Sequence, residues 1–216
     1  MNLISLEFSI FLIGGIVIYW SMPEKYRYLV IFVQNIIFLV SYNFISLIML
    51  FIIASVTFIL GKKYKKYKNG VFTVLGVIFV LLMMVLCRLN VKIYNDQIVF
   101  VVGLSFWGLQ AISYLLDLYM GKTMPEYHFL DYCIYLSLFI NLTSGPIERA
   151  DSMIPKIRLG GGSWKLFVHG CEEMLYGLFL KLVVGERLAL IVNYVYNHIS
   201  DFAGVTMLAA VVAYSI

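Results

Sequence analysis

The chain has 216 residues, of which 62% are hydrophobic and 13% charged, and a net charge of +4. Soluble domains are about half apolar and about a quarter charged, so this composition excludes a soluble fold, which has too few polar side chains here to cover its surface. The apolar runs are long and lack the ~10-residue alternation of an outer-membrane barrel; they predict an all-α, polytopic transmembrane helix bundle, a single membrane domain over residues 1–216.

Ile4 to Trp20 reads as the first span, with Tyr19 and Trp20 placed as interfacial aromatics. No cleavage signal follows it, so it stays as a span. Ser21 to Arg27 is a polar loop. Tyr28 to Leu60 is 33 residues without a charge. One helix of that length would reach about 50 Å, well past a ~30 Å hydrocarbon core. The polar cluster Ser41-Tyr42-Asn43 therefore marks a break between two antiparallel helices.

Gly61 to Gly70 carries five lysines and no acid. It predicts a solvated cytoplasmic loop beside anionic headgroups, and the charge is a topology signal, not a nucleic-acid one. With that loop inside, the N-terminus and the 42–43 break lie outside and the 21–27 loop inside. The protein is accordingly a multi-pass protein of the cell membrane whose first partner is the bilayer.

Val71 to Leu86 runs outward, and Arg88, Lys92 and Asp96 mark an exposed connection. Ile98 to Leu118 returns, and Gly121 to Tyr127 forms a short loop. Phe129 to Thr143 is apolar but only 15 residues long, and Gly145-Pro146 ends it. That predicts a tilted or re-entrant helix at 129–143, which protein has to cover. Ile147 to Lys165 is polar and glycine-rich and reads as a loop. Leu166 to Val184 and Arg187 to Ile199 read as helices. Ala203 to Ile216 opens an apolar run of 14 residues, short of the ~20 that a span needs; the expectation is a helix cut in its middle.

The returning segment holds the first candidate site. At about 100° per residue, Trp107, Gln110, Tyr114 and Asp117 fall within about 80° of one another on a helix. Polar residues inside a span face the bundle or an aqueous cavity, so this face is either glue between helices or a cavity wall. Asp117, near the inner end, can also snorkel to water. Asn141, Glu148 and Arg149 flank the Gly-Pro break, where freed backbone groups favour an intramembrane pocket. Arg149 suits either an anionic group or an ion pair with Glu148 or Asp151.

His169, Glu172 and Glu173 share a helix face that would suit half a metal site or an acid–base pair; the acids equally fit a first helical turn, favoured by its dipole. His128 and His198 read as interfacial. Cys87, Cys133 and Cys171 have no metal-like spacing and read as small buried hydrophobes. No phosphate-cradling loop, nucleophile elbow or metal-spaced histidine pair is present, so neither a bound cofactor nor a metal is expected.

The segments GLSFWGLQAISYLLDLYMG and FLDYCIYLSLFINLTSGPIERADSMIPKI, in this order, resemble the membrane-bound O-acyltransferases, and among them the branch acting on alginate and other cell-surface polysaccharides. NIIFLVSYNFISLIMLFIIASVTFILGKKYK and GLFLKLVVGERLALIVNYVY extend the resemblance over nearly the whole chain from about Gln34. The chain departs from the family at Leu180-Lys181, often paired lysines there, and at Gly185-Glu186-Arg187, often Ala-Asp-Arg.

The resemblance implies that this is the N-terminal part of a longer acyltransferase domain, truncated in the helix at 203–216. It implies transfer of an acyl group, acetyl in the nearest branch, to hydroxyls of an extracytoplasmic polysaccharide or to an accessory acyltransferase. The cytoplasmic co-substrate is an acyl-CoA or an acyl-carrier protein. The family's catalytic histidine lies beyond Ile216, so none is assigned here, and the chain alone is expected to be inactive. Trp107, Gln110, Tyr114, Asn141 and Arg149 are the candidate substrate-binding wall. The rival reading is a non-catalytic transporter half or scaffold; a transporter predicts an internal helix repeat, and none is visible.

Overall fold

A computed structural model describes residues 5–89, 101–124, 128–142, 145–198, 202 and 204–215. The fold is all-α. It divides into two compact units, Met1–Gly161 and Gly162–Ile216.

In the first unit, helix α1 (Leu6–Ser21) starts at Ser5, whose hydroxyl accepts the Phe8 N–H at 3.2 Å. A single 3-10 turn (Glu24–Tyr26) leads into α2 (Arg27–Tyr42). The expected break falls at Asn43, which is extended (φ −166°, ψ 129°), and its side chain accepts the Ile45 N–H at 2.9 Å. One residue thus ends α2 and caps α3 (Phe44–Tyr67). Among the described residues α3 is the helix long and apolar enough to cross a membrane; Leu6–Ser21, Val71–Cys87 and Val205–Tyr214 are apolar but shorter.

The lysine-rich stretch is not the loop that its polarity suggests. Helix α3 carries it through Tyr67 and ends only at Lys68, in the left-handed conformation (φ 48°). Lysine is a good helix former, and cations in a last turn oppose the negative end of the dipole. The 24 residues reach about 36 Å, enough to cross a ~30 Å core with about one turn to spare.

Helix α4 (Val71–Leu89) follows, with Asn69 accepting the Val71 N–H at 3.0 Å. It includes Arg88, placed by sequence in the connection; Lys92 and Asp96 lie outside the described residues. Helix α5 (Leu104–Tyr119) begins later than the expected Ile98 because Gly103 sits at φ 76°. A Cβ there would lie 1.9 Å from Leu142 Cδ2, so conformation and space both demand glycine.

Helix α6 (Phe129–Ser137) has nine residues and stops short of the expected 143. At about 13 Å it cannot cross a bilayer alone. Every residue from Asp131 to Ser137 is buried, so protein covers it. Asn35, fully buried on α2, donates from Nδ2 to Ser137 Oγ at 3.0 Å and accepts the Phe139 N–H at 3.1 Å on Oδ1. It thereby satisfies polar groups that the interrupted helix leaves in the interior.

Residues 150–159 correct a second loop expectation: Ala150–Leu159 is helix α7. Ala150, Ile154 and Ile157, at helical spacing, are its buried face, and Gly160 closes it at φ 54°. Asp151 in the first turn and Lys156 and Arg158 in the last suit the dipole. The glycine run Gly160-Gly161-Gly162 lies beyond this helix. Arg27 holds the closing turn: Nη1 donates to the Gly160 carbonyl at 2.7 Å, and the Tyr19 hydroxyl donates to the same oxygen at 3.2 Å.

The core gathers on α2, α3, α5 and α6 around Phe38, Ile53, Trp107, Leu115 and Tyr132. The outward faces of α1, α2 and α4 expose Ile13, Val17, Val40, Ile78 and Val85. A surface of that kind is stable only against lipid or further protein.

The second unit contains α8 (Trp164–Phe179), a π-helical segment (Leu180–Gly185), α9 (Glu186–Asn197) and α10 (Val205–Tyr214). Ser163 caps α8, accepting the Leu166 N–H at 3.3 Å. Glu172 and Glu173 therefore lie in the third turn, beyond the reach of the dipole expected to favour them. Glu172 instead stands 3.6 Å from His169 Nδ1, both well exposed. No residue of α8 is buried, and the buried residues of α9 and α10 are Val192, Val195 and Ala210.

Candidate functional site

Helix α5 turns its polar and aromatic face inward. Trp107, Gln110, Tyr114 and Asp117 are all buried, at 0, 3, 1 and 5% exposure. Asp117 thus does not snorkel to water. Opposite stands α6, with Tyr132 and Tyr135 fully buried. The Tyr114 and Tyr132 rings have centroids 4.7 Å apart, and those of Tyr132 and Tyr135 are 6.2 Å apart. The Tyr132 hydroxyl lies 2.9 Å from Thr57 Oγ1 on α3, which itself donates to the Ile53 carbonyl at 2.7 Å. A column of aromatic rings and hydroxyls so runs through the centre of the unit between α3, α5 and α6.

Two ends of this column are anchored through the backbone. Trp107 Nε1 donates to the Val102 carbonyl at 3.2 Å, and the Val102 N–H donates to the buried Ser46 hydroxyl at 3.1 Å. The Tyr135 hydroxyl donates to the Glu148 carbonyl at 2.9 Å, tying α6 to the chain leaving the Gly-Pro turn. That turn is close-packed: Gly145 N–H donates to the Asn141 carbonyl at 3.2 Å, and a Cβ on Gly145 would sit 2.5 Å from Asn141 Cα.

The unit contains polar capacity that the fold does not use. Gln110 Nε2 in the column, Asn141 Nδ2 beside the Gly-Pro turn and Thr73 Oγ1 on α4 are buried polar atoms without a hydrogen-bond partner. Leaving such a group unpaired costs about 1–3 kcal/mol. A group kept at that cost calls for a physical reason, and a polar partner met during the protein's work is one such reason.

The candidate residues are distributed unequally. Trp107, Gln110 and Tyr114 stand together on α5, and Leu142, next to Asn141, packs at Gly103 beside Trp107. Arg149 is elsewhere. It caps α7 through its extended backbone, its side chain is exposed, and it joins no ion pair among the described residues. All three histidines are exposed, outside the column. Cys133 is buried, whereas Cys87 and Cys171 are half-buried, and no cluster of metal-ligating side chains occurs among the described residues.

Several members of the site were not singled out from sequence. Asp131, buried on α6, pairs with Arg158 of α7. An acid in an apolar run is itself a signal, but its partner was hidden in a stretch read as loop. Asn35 and Thr57 carried the weaker signal of one polar residue within an apolar helix. Tyr132 and Tyr135 carried none, because a tyrosine in such a run reads equally well as interfacial.

No family model matches the chain, and no solved structure matches it. Among curated proteins it is 25% identical over 93 residues to the probable alginate O-acetylase AlgI of Pseudomonas aeruginosa, a stretch covering 43% of this chain and 18% of that protein. The corresponding AlgI of Azotobacter vinelandii is 26% identical over 93 residues, 43% of this chain and 19% of the relative. A peptidoglycan O-acetyltransferase of Helicobacter pylori is 28% identical, over 46% of this chain and 23% of its own length. The chain is thus matched to less than a quarter of each relative, and the resemblance to membrane-bound O-acyltransferases rests on these partial, distant similarities to enzymes named for O-acetylation of polysaccharides.

Proposed function

We propose that this chain contributes to a membrane-bound O-acyltransferase that moves an acetyl group onto hydroxyls of a cell-surface polysaccharide. The observation that carries the reading is the buried column of α5 and α6 with an unpaired donor, Gln110, inside it. The names of the relatives support the reaction class.

In this reading the column is one wall of the path along which acyl donor and acceptor meet. Gln110 Nε2 donates to a carbonyl or hydroxyl oxygen of the passing group, and Asn141 Nδ2 does the same beside the Gly-Pro turn. Trp107 and Tyr114 keep the wall dry and stiff, so that each hydrogen bond counts for more than it would in water. Arg149, exposed at the start of α7, meets an anionic part of the cytoplasmic acyl-CoA or acyl-carrier donor. The acceptor, a polysaccharide or an accessory acyltransferase, stands on the opposite membrane face. The general base is a group outside the column, since no histidine lies in it.

The test is the base-labile acetate on surface polysaccharide from cells carrying the intact gene, its deletion and Gln110→Leu. Deletion is expected to abolish the acetate. Gln110→Leu is expected to lower it about tenfold or more, the share of a lost polar contact worth ~1.4 kcal/mol, at unchanged protein level. Unchanged acetate on deletion, with altered movement of a solute instead, overturns the proposal in favour of a transporter.

A further inference from the structure

A groove of about 650 Å³ runs between α1 and α2, remote in sequence from the α5–α6 column. Its walls are Ile10, Gly14 and Ile18 on α1 and Val33 and Ile37 on α2, and it ends at Met22 and Tyr26. A Cβ on Gly14 would meet no atom within 4 Å, so the groove is open at this glycine. Next to it, Gln34 lies directly against Gly15, where a Cβ would come within 1.4 Å of Nε2, and this contact forms the floor. From Ile10 to Met22 the groove runs about 18 Å, a little over half of a ~30 Å hydrocarbon core. That is the depth of one leaflet.

The shape selects a thin occupant. Close helix packing in membranes uses small residues one turn apart. One turn either side of Gly14 stand Ile10 and Ile18, both exposed. They admit a chain of methylenes along the glycine and keep a helix backbone away.

The charge at the Tyr26 end selects the headgroup. Arg27 is engaged: it donates to the Met22 and Gly160 carbonyls, stands over the Tyr19 and Trp20 rings, and lies 3.8 Å from Glu24. The local acid is thereby matched. Lys25 joins no ion pair among the described residues, and its ammonium sits 5.7 Å from the ring centroid of Tyr26, which lines the end of the groove.

We propose that this groove binds one anionic phospholipid, with an acyl chain along Gly14 between α1 and α2 and the phosphate beside Lys25. The site is independent of the acyl-transfer reading.

The test is native mass spectrometry of the full chain in neutral detergent, with equal amounts of phosphatidylglycerol and phosphatidylcholine carrying the same acyl chains. The wild type is expected to retain phosphatidylglycerol about fivefold better, the effect of one lysine near an anionic surface. Lys25→Gln is expected to level the two lipids, and Gly14→Leu to reduce both about tenfold by filling the slot. Gly14→Cys leaves the slot open and gives a second readout: phosphatidylglycerol slows its alkylation by a membrane-permeant maleimide, and adding Lys25→Gln removes the protection. Equal retention of the two lipids by the wild type, or adducts and alkylation indifferent to these changes, means unspecific annular lipid and overturns the proposal. A dimer that Gly14→Leu dissociates overturns it too, because a second copy then fills the groove.

Discussion

Helices α6 and α8 are both built mainly of apolar residues, and their surroundings could hardly differ more. Seven consecutive residues of α6 are buried, and none of α8 is. Hydrophobicity does not separate them, since a leucine is as much at home in lipid as in a protein core. The polar residues do. Around α6, Asn35, Thr57, Asp131 and Ser137 all bond to other elements, and each bond points inward. On α8 the polar pair His169–Glu172 points outward. In an apolar chain, the few polar side chains mark which helix faces are internal.

The largest effect should come from truncating the column. Trp107→Ala, at a fully buried site, is expected to cost about 3–5 kcal/mol in reversible detergent unfolding. Leu175→Ala on the exposed face of α8 is expected to stay within about 0.5 kcal/mol. Equal losses at the two positions would abolish the distinction between the units.

Next is the ion pair between α6 and α7. Arg158→Leu strands the buried Asp131 carboxylate and is expected to cost on the order of 3 kcal/mol. The double variant Asp131→Leu with Arg158→Leu should recover much of it, and additive losses in that cycle would show that the pair is not what joins the helices.

Asn35→Leu removes both hydrogen bonds at the α6 break and is expected to cost about 1–3 kcal/mol. Faster amide exchange at Phe139 is the local readout.

Within the column, the smallest change in stability, and the most informative, is expected at Gln110. Because its Nε2 has no partner, Gln110→Leu should be neutral or stabilising by up to about 1 kcal/mol while lowering acetyl transfer. A clear loss of stability would make Gln110 packing glue and sharpen the comparison in the other direction.

Much of the fold could be read in advance. The break at Asn43 followed from a charge-free run too long for one span, and the inward face of α5 from four polar or aromatic residues at helical spacing. The two segments misread as loops show the limit. The lysines of α3 and the stretch Ala150–Leu159 are polar, and polarity says only that water is near, not that the helix has ended. In α7 the correct signal was present, as Ala150, Ile154 and Ile157 at helical spacing and Gly160 as terminator, but the glycine run that follows outweighed it. At the site, α5 was legible because its polar residues interrupt an apolar run. Tyr132 and Tyr135 were not, because burial of a tyrosine depends on what stands opposite.

Composition and the long, non-alternating apolar runs pointed to helices and to a bilayer, because 62% apolar residues are more than a soluble surface of this size hides. Run length and the polar breaks settled where helices turn, because backbone groups in hydrocarbon must be paired and helices do so locally. Only the tertiary structure decided which partners those polar residues have: Asn35 with the end of α6, Asp131 with Arg158, Thr57 with Tyr132, and none for Gln110. Those pairings join residues 27 to 104 positions apart, or leave a donor unmet. No local pattern carries that information, since it arises from which helices pack against each other.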